Sequence, residues 1–193
     1  MHTHSLSINS DPGRALRPWE LALLLGVALA ALLGVWLDGA QAALSDRVIR
    51  LHVLANSDSE ADQALKLRVR DAVLAEAEEL FVPGAGRAET EELLRAHLYD
   101  LAAAGVEVVG EAGYSYPVTA SLVHDYWFPP KTYTDFALPA GAYTALRIEI
   151  GAGGGQNWWC VVFPPLCLGS VSETTQETAL EAGLTENQVS LMT

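Results

Sequence analysis

Residues 151–167 read GAGGGQNWWCVVFPPLC, a stretch that combines a glycine-rich turn, paired tryptophans and an apolar run. The apolar run predicts a strand from 157 to 163. The glycines at 151–155 are expected to permit positive φ or a close backbone approach at a hairpin. On a strand, Trp158 and Trp159 would point to opposite faces of the sheet. This predicts one core indole and one at a partner surface, with burial of both in a two-sided core as the alternative.

The same stretch contains Cys160 and Cys167, the only cysteines in the sequence. The chain begins with an export segment, described below, so these cysteines are expected outside the reducing cytoplasm and a disulfide between them is the leading hypothesis. Two buried thiols are the alternative. A third interpretation makes Cys160 a nucleophile with His52, His97 or His124 as its base, which requires a spatial coincidence that sequence does not show.

The segments that precede this stretch predict an α+β domain, with two helices packed on a mainly antiparallel sheet. Ser59 is the expected N-cap of the first helix, and Ser57 is the alternative. Gly105 is expected to end the second helix. Pro117 argues against a central position in the sheet for the start of the strand predicted at 114–126. The predicted strands cover 47–54, 106–109, 114–126, 142–150 and 157–163, and the predicted helices cover 59–80 and 90–104.

The N-terminal segment 21–37, LALLLGVALAALLGVWL, carries no charge. As a helix it would span roughly 26 Å at 1.5 Å per residue, slightly less than a hydrocarbon core of about 30 Å. Asp38-Gly39 is expected to break this helix. Ala40-Gln41-Ala42 has the small-residue spacing of a signal-peptidase site, so a cleaved signal peptide and a retained membrane anchor both remain open.

Either interpretation places the following residues outside the cytoplasm. Residues 1–20 are predicted to be the cytoplasmic n-region, because Arg14 and Arg17 precede the apolar segment. Residues 43–168 are then an exported α+β signalling domain, and residues 169–193 a polar, mobile C-terminal tail.

Several classes of function are disfavoured by composition and motif. The formal net charge of −13 argues against binding to the phosphate backbone of nucleic acids. The histidines and cysteines lack zinc-ligand spacing, the serines lack a nucleophile elbow, and the glycines at 151–155 are not followed by the lysine of a phosphate loop. The sequence therefore predicts no metal, no cofactor and no catalytic residue.

Several long stretches of the sequence, here called family words, resemble the stage II sporulation protein R family. The resemblance extends from about 47 to 167, which is nearly all of the predicted exported domain. The words are RLHVLANSDS at 50–59, DQALKL at 62–67, VRDAV at 69–73, FP at 128–129 with Lys131 and Tyr133, LPAG at 138–141 with Tyr143, ALR at 145–147, NWWC at 157–160 and FPPLC at 163–167.

The resemblance implies a developmental signal of endospore formation. Members of this family are exported from the forespore to the septal intermembrane space, where they activate a membrane-embedded aspartic protease that processes the sigma-E precursor. The implied partner is the extracytoplasmic part of that protease, with the membrane as a further partner if 21–37 is uncleaved. Within the family words, polar or amphipathic side chains without an obvious packing role are the predicted partner contacts: His52, Asn56, Asp58, Lys131, Asn157, Trp158 and Trp159.

Two other functions stay open at the level of sequence. The first is a secreted thiol-dependent hydrolase acting on the cell wall, with Cys160 as its nucleophile. The second is a passive wall- or membrane-binding module that uses an exposed tryptophan.

Overall fold

The computed structural model describes residues 17–133, 136–166 and Leu184. The chain divides into two compact units, residues 1–39 and 40–193. Cys167, most of the predicted n-region and the predicted tail apart from Leu184 lie outside the described residues.

Helix α1 spans Pro18–Ser45. Its segment Pro18–Trp36 is long and apolar enough to cross a membrane, and none of that segment is buried. An apolar helix at this position fits a signal peptide or a membrane anchor. The predicted break at Asp38-Gly39 is wrong, since the helix continues through both residues. A glycine inside a helix costs only about 1 kcal/mol relative to alanine, which the flanking helix-forming residues can outweigh.

The domain that follows is built on a four-stranded mixed sheet. Its strands are β1, Ile49–Leu54, β2, Val118–Phe128, β5, Gly141–Ile150, and β6, Asn157–Phe163. Their order in the sheet is β2-β5-β1-β6. Strand β1 runs parallel to β5 and antiparallel to β6, while β2 pairs antiparallel with β5. The predicted non-central place of the strand after Pro117 is confirmed, because β2 lies at the end of the sheet. A separate two-stranded sheet joins β3, Lys131–Thr132, to β4, Ala137–Leu138.

Three helices lie between β1 and β2, and the sequence predicted two. They are α2, Glu60–Glu79, α3, Arg87–Ala96, and α4, Leu98–Glu111. Ser59 is confirmed as the N-cap of α2, since its side chain accepts a hydrogen bond from the Asp62 amide. The strand predicted at 106–109 is wrong, because these residues belong to α4.

Gly105 also has a different role from the predicted helix end. It lies inside α4, where an added Cβ would come within 2.8 Å of Val118 Cγ1 and 3.2 Å of Val69 Cγ1. The glycine therefore lets α4 approach β2 and α2 closely. Gly113, with φ of +80°, follows the end of α4 in the left-handed conformation that was expected of Gly105.

The sheet separates two hydrophobic cores. On the first face, Leu51, Val53 and Leu146 pack with apolar residues of α2 and α4. On the second face, Phe128, Tyr143 and Val161 pack with Leu44 and Leu184, among others. Because both faces are covered, every residue of the central strand β1 is buried, including the polar ones.

The expected hairpin at 151–155 is wrong, since β1 lies between β5 and β6 in the sheet. The glycine segment instead carries the chain across the end of β1. Its expected backbone conformation is confirmed, with φ of +59° at Gly151 and +60° at Gly153.

Candidate partner-binding site

Two segments meet at the end of β1 and are hydrogen-bonded to each other. They are the polar turn (56–59) and the glycine loop (151–156). The Ala152 amide donates to Asn56 Oδ1 at 3.0 Å, and the Gln156 amide donates to Asp58 Oδ1 at 2.8 Å. The Gly155 amide donates to the carbonyl oxygen of the residue before the turn, Ala55, at 2.9 Å. These bonds fix the point at which β6 begins, directly after the loop.

Asp62, in the first turn of α2, is buried and accepts hydrogen bonds from side chains of the polar turn. Its Oδ2 accepts hydrogen bonds from Ser57 Oγ at 2.5 Å and from Asn56 Nδ2 at 2.9 Å. The Ser57 bond, followed by the Asn56 bond, lowers the pKa of the Asp62 carboxyl below its ordinary value. The ionised carboxylate is thus a structural part of this end of the sheet.

We expect Asp62→Asn to remove part of the pH dependence of stability. Since the folded-state pKa of Asp62 is lowered, its contribution is present above the unfolded-state pKa of about 3.8 and is lost as pH falls through the folded value. Thermal unfolding between pH 6 and pH 2.5 should therefore show a shallower acid loss of Tm in the variant. Asp71→Asn, at an exposed carboxylate paired with Arg70, is the control. Equal acid slopes for Asp62→Asn and wild type would contradict the prediction.

His52 lies on the second face of the sheet, 1% exposed, and its Nε2 shares a 2.7 Å hydrogen bond with Asn157 Oδ1. Burial lowers the pKa of His52, so the ring is neutral near pH 7. The register places Arg147 of β5 and Trp159 of β6 on either side of His52. His52 and Trp159 have ring centroids 6.4 Å apart. A polar row, Arg147-His52-Trp159, therefore crosses the second face near the glycine loop.

Arg50 lies one row further along β1 on the same face and is fully buried. Its guanidinium carbon lies 4.1 Å from the Phe128 ring centroid and 5.0 Å from that of Tyr143. Nη2 donates to Tyr133 Oη at 3.3 Å. Burial raises the pKa of Tyr133, so its hydroxyl stays protonated and supplies no countercharge.

Several nitrogens on this face are buried without a hydrogen-bond partner. Four side chains are concerned, Arg50, His52, Arg147 and Trp159. Because the neutral His52 ring donates from Nε2 to Asn157, its Nδ1 is an acceptor, whereas the unpartnered nitrogens of the other three are donors. The unpartnered atoms are Arg50 Nε and Nη1, His52 Nδ1, Arg147 Nε and Trp159 Nε1.

Trp158 points to the opposite face from Trp159, as the sequence predicted, because it pairs with Val53 of the first core. It is 37% exposed, and the Arg70 guanidinium lies 4.4 Å from its ring centroid. Trp159 is half-buried. Of the two indoles, Trp158 is the one that offers more surface to a partner.

The structure brings most of the predicted contact residues to one end of the sheet. His52 bonds Asn157, and Asn56 and Asp58 bond the loop that leads into it. Lys131 is the exception, exposed on β3 in the small sheet. We name the surface formed by the polar turn, the glycine loop, Asn157 and Trp158 the loop-end surface.

The residues of the thiol-hydrolase interpretation occupy separate positions. Cys160 is 7% exposed and packs in the first core, whereas His52 faces the other side of the sheet. His97 Nδ1 contacts Asp100 at 2.9 Å, and His124 lies between Glu91 and Thr144 at 3.3 and 3.2 Å. Within the described residues there is no free cysteine, while Cys167 lies outside them. The disulfide remains a prediction.

Comparison with known proteins identifies the family. The family model described as stage II sporulation protein R matches residues 45–173. The chain belongs to this family. A relative from Bacillus subtilis (strain 168), named Stage II sporulation protein R, is 39% identical over 124 residues. The match covers 64% of this chain and 55% of that relative, so it spans about half of the relative's length. No solved structure matches.

Family membership confirms the resemblance seen in the sequence words, and the structure shows what several of those words do. In ANSDS, Asn56 and Asp58 hold the glycine loop in place. In RLHVL, Arg50 and His52 face the second core. Sequence reasoning missed Arg50, Arg147 and Tyr133. An arginine between apolar residues of a predicted buried strand was the available signal for Arg50, because such a position rarely holds an unpaired charge.

Proposed function

We propose that this protein is an exported signal of endospore formation that activates a membrane-embedded aspartic protease, which then processes the sigma-E precursor. Membership of the stage II sporulation protein R family is the observation that supports this role. The N-terminal apolar helix fits export by a signal peptide or an anchor. The forespore as source and the septal intermembrane space as destination are part of the proposal.

The loop-end surface is the contact region that we propose for the protease. Asn157 and Trp158 are exposed there, on a strand start that backbone bonds hold rigid. An exposed indole on rigid backbone buries much area at small entropic cost when a partner binds. Lys66 Nζ adds to this rigidity by donating to the Gln156 carbonyl at 2.9 Å.

The experiment is reconstitution of the protease and the sigma-factor precursor in vesicles, with the full chain added on the side opposite the precursor. We expect precursor cleavage to increase with the concentration of the added chain and to saturate. Heat-unfolded chain is the control for a non-specific protein effect. Equal cleavage with and without the folded chain would refute the activator role.

A further inference from the structure

Helix α4 presents an apolar face to solvent. Its buried residues, Leu101, Gly105 and Val109, lie on one side of the helix. On the other side Tyr99 is 83% exposed and Val106 is 48% exposed. Positions 99, 103, 106 and 110 are all exposed and apolar, and they follow one another at intervals of three or four residues. They therefore form one apolar stripe along the outside of α4.

The stripe borders a groove of ≈ 380 Å³ between α4 and the start of β2. The groove is lined by Tyr99, Ala102, Ala103, Val106, Glu107 and Val118. Its two sides are held together by the first core, because Gly105 of α4 packs directly against Val118. Exposed apolar surface of this kind marks sites where another molecule docks. We name this feature the α4 groove.

Every charged residue of α4 is acidic. Asp100, Glu107 and Glu111 are exposed, and their spacing places them in a row along one side of the apolar stripe. Glu111 faces Arg68 at 3.4 Å and Asp100 faces His97 at 2.9 Å, and each of these four side chains is at least 42% exposed. Ion pairs between exposed side chains are weak, so this acidic row still attracts a cation that docks beside it.

The charge of the α4 groove discriminates between possible occupants. A second copy of this chain would bring the same acidic row and a net charge of −13, so the two copies would repel each other. An anionic lipid surface is disfavoured for the same reason. The C-terminal residues 168–193 contain four glutamates and neither lysine nor arginine, so their charge is equally unfavourable. The complementary occupant combines an apolar face with basic side chains.

We propose that the α4 groove binds an amphipathic helix of a protein partner. The apolar side chains of that helix fill the space between α4 and Val118, and its Lys or Arg side chains lie along the acidic row. Helices that dock in this way carry apolar residues at the spacing that the stripe itself shows. The α4 groove is separate from the loop-end surface, because Trp158 lies on β6, at the opposite edge of the sheet from β2.

The primary test is peptide binding to the full chain in phosphatidylcholine nanodiscs, followed by fluorescence anisotropy. The probe is a labelled amphipathic peptide of leucine, alanine and lysine. A scrambled peptide has the same charge without an apolar face, and empty nanodiscs report binding to lipid. We expect saturable binding of the amphipathic peptide, at least about tenfold tighter than that of the scrambled one. Equal affinity for both peptides, or no binding beyond that to empty nanodiscs, would overturn the proposal.

Two matched pairs of variants locate the bound peptide. Val106→Gln, in the groove, should weaken binding by about tenfold, whereas Val82→Gln, at another exposed valine, should leave it unchanged. Glu107→Lys reverses a charge of the acidic row and should weaken binding severalfold. Glu79→Lys makes the same change at an exposed position of α2 and should have less than about a twofold effect. Equal losses within either pair would contradict docking in the groove.

Cross-linking identifies the occupant directly. Replacing Tyr99 by the photoreactive p-benzoylphenylalanine keeps an aromatic ring at the groove, and the same replacement of Trp127, exposed on β2, is the control. We expect a cross-link from position 99 to the amphipathic peptide and none from position 127. Cross-links from position 99 to a second copy or to lipid while the peptide is present would show a different occupant and overturn the proposal. Because these measurements need no protease, they stay interpretable if the activator role itself fails.

Discussion

Replacing Gly155 by alanine is expected to destabilise the unit formed by residues 40–193 by about 3 kcal/mol, among the largest effects of a single methyl group in this fold. An added Cβ would lie 2.2 Å from the Ser57 carbonyl oxygen and 2.9 Å from Ala55 Cβ. Both obstacles belong to the segment around the polar turn, and the nearer one is backbone, so neither can rotate away. Separating the chains would break the bond from the Gly155 amide to the Ala55 carbonyl.

Gly154→Ala is the matched control for this prediction. It adds the same methyl group one residue earlier, where the nearest atom, the Asn56 carbonyl oxygen, would lie at an ordinary 3.5 Å. We expect its effect to stay within about 1 kcal/mol. Urea unfolding followed by tryptophan fluorescence measures both variants. Equal destabilisation by the two substitutions would show that loop entropy, and not the clash at 155, controls stability.

Local signals in the sequence were sufficient where the structure is locally determined. The N-cap at Ser59, the strand at 142–150 and the non-central place of the strand after Pro117 were all predicted correctly. Each depends on one residue type or on a period of two within a few positions. The parallel pairing of β1 with β5 depends on contacts across about ninety residues, which no local pattern specifies.

Residues 106–109 of α4 show how tertiary contacts override a local pattern. Val106, Val108 and Val109 are β-branched residues next to a glycine, which favours a short strand. In the structure Gly105 is buried against Val69 and Val118, and Val109 enters the first core. Close packing of α4 on β2 and α2 therefore decides the conformation of this segment.

The candidate site was only partly predictable for a related reason. The sequence identified His52, Asn157 and Trp158 as polar or amphipathic residues within family words. It did not reveal that Asn56 and Asp58 anchor the glycine loop, because the backbone amides that donate to their side chains are nearly a hundred residues away. Nor did it reveal Arg50 as a buried charge, since burial on the second face follows from how Phe136, Leu138 and Leu184 pack against the sheet.

Under the proposed function, Trp158→Ala is expected to weaken activation of the protease by about thirtyfold at subsaturating concentrations, the factor that a loss of about 2 kcal/mol at an interface produces. Trp158 is the exposed indole of the loop-end surface, and the chain beside it is held by the Asp58 and Lys66 bonds to Gln156. A rigid indole pays little entropy when it is buried by a partner, so its removal should mainly shorten the lifetime of the complex.

Trp127→Ala is the control that separates a specific contact from general loss of exposed aromatic surface. Trp127 is 65% exposed on β2, at the far edge of the sheet from β6, and it lies outside the loop-end surface. We expect it to leave activation unchanged within about twofold, since isolated surface substitutions have small effects. Loss of the stack on Arg70 should lower the stability of Trp158→Ala by no more than about 1 kcal/mol, which a Tm measurement checks. Equal loss of activation in both tryptophan variants would exclude the loop-end surface as the specific contact, because the two indoles lie at opposite edges of the sheet.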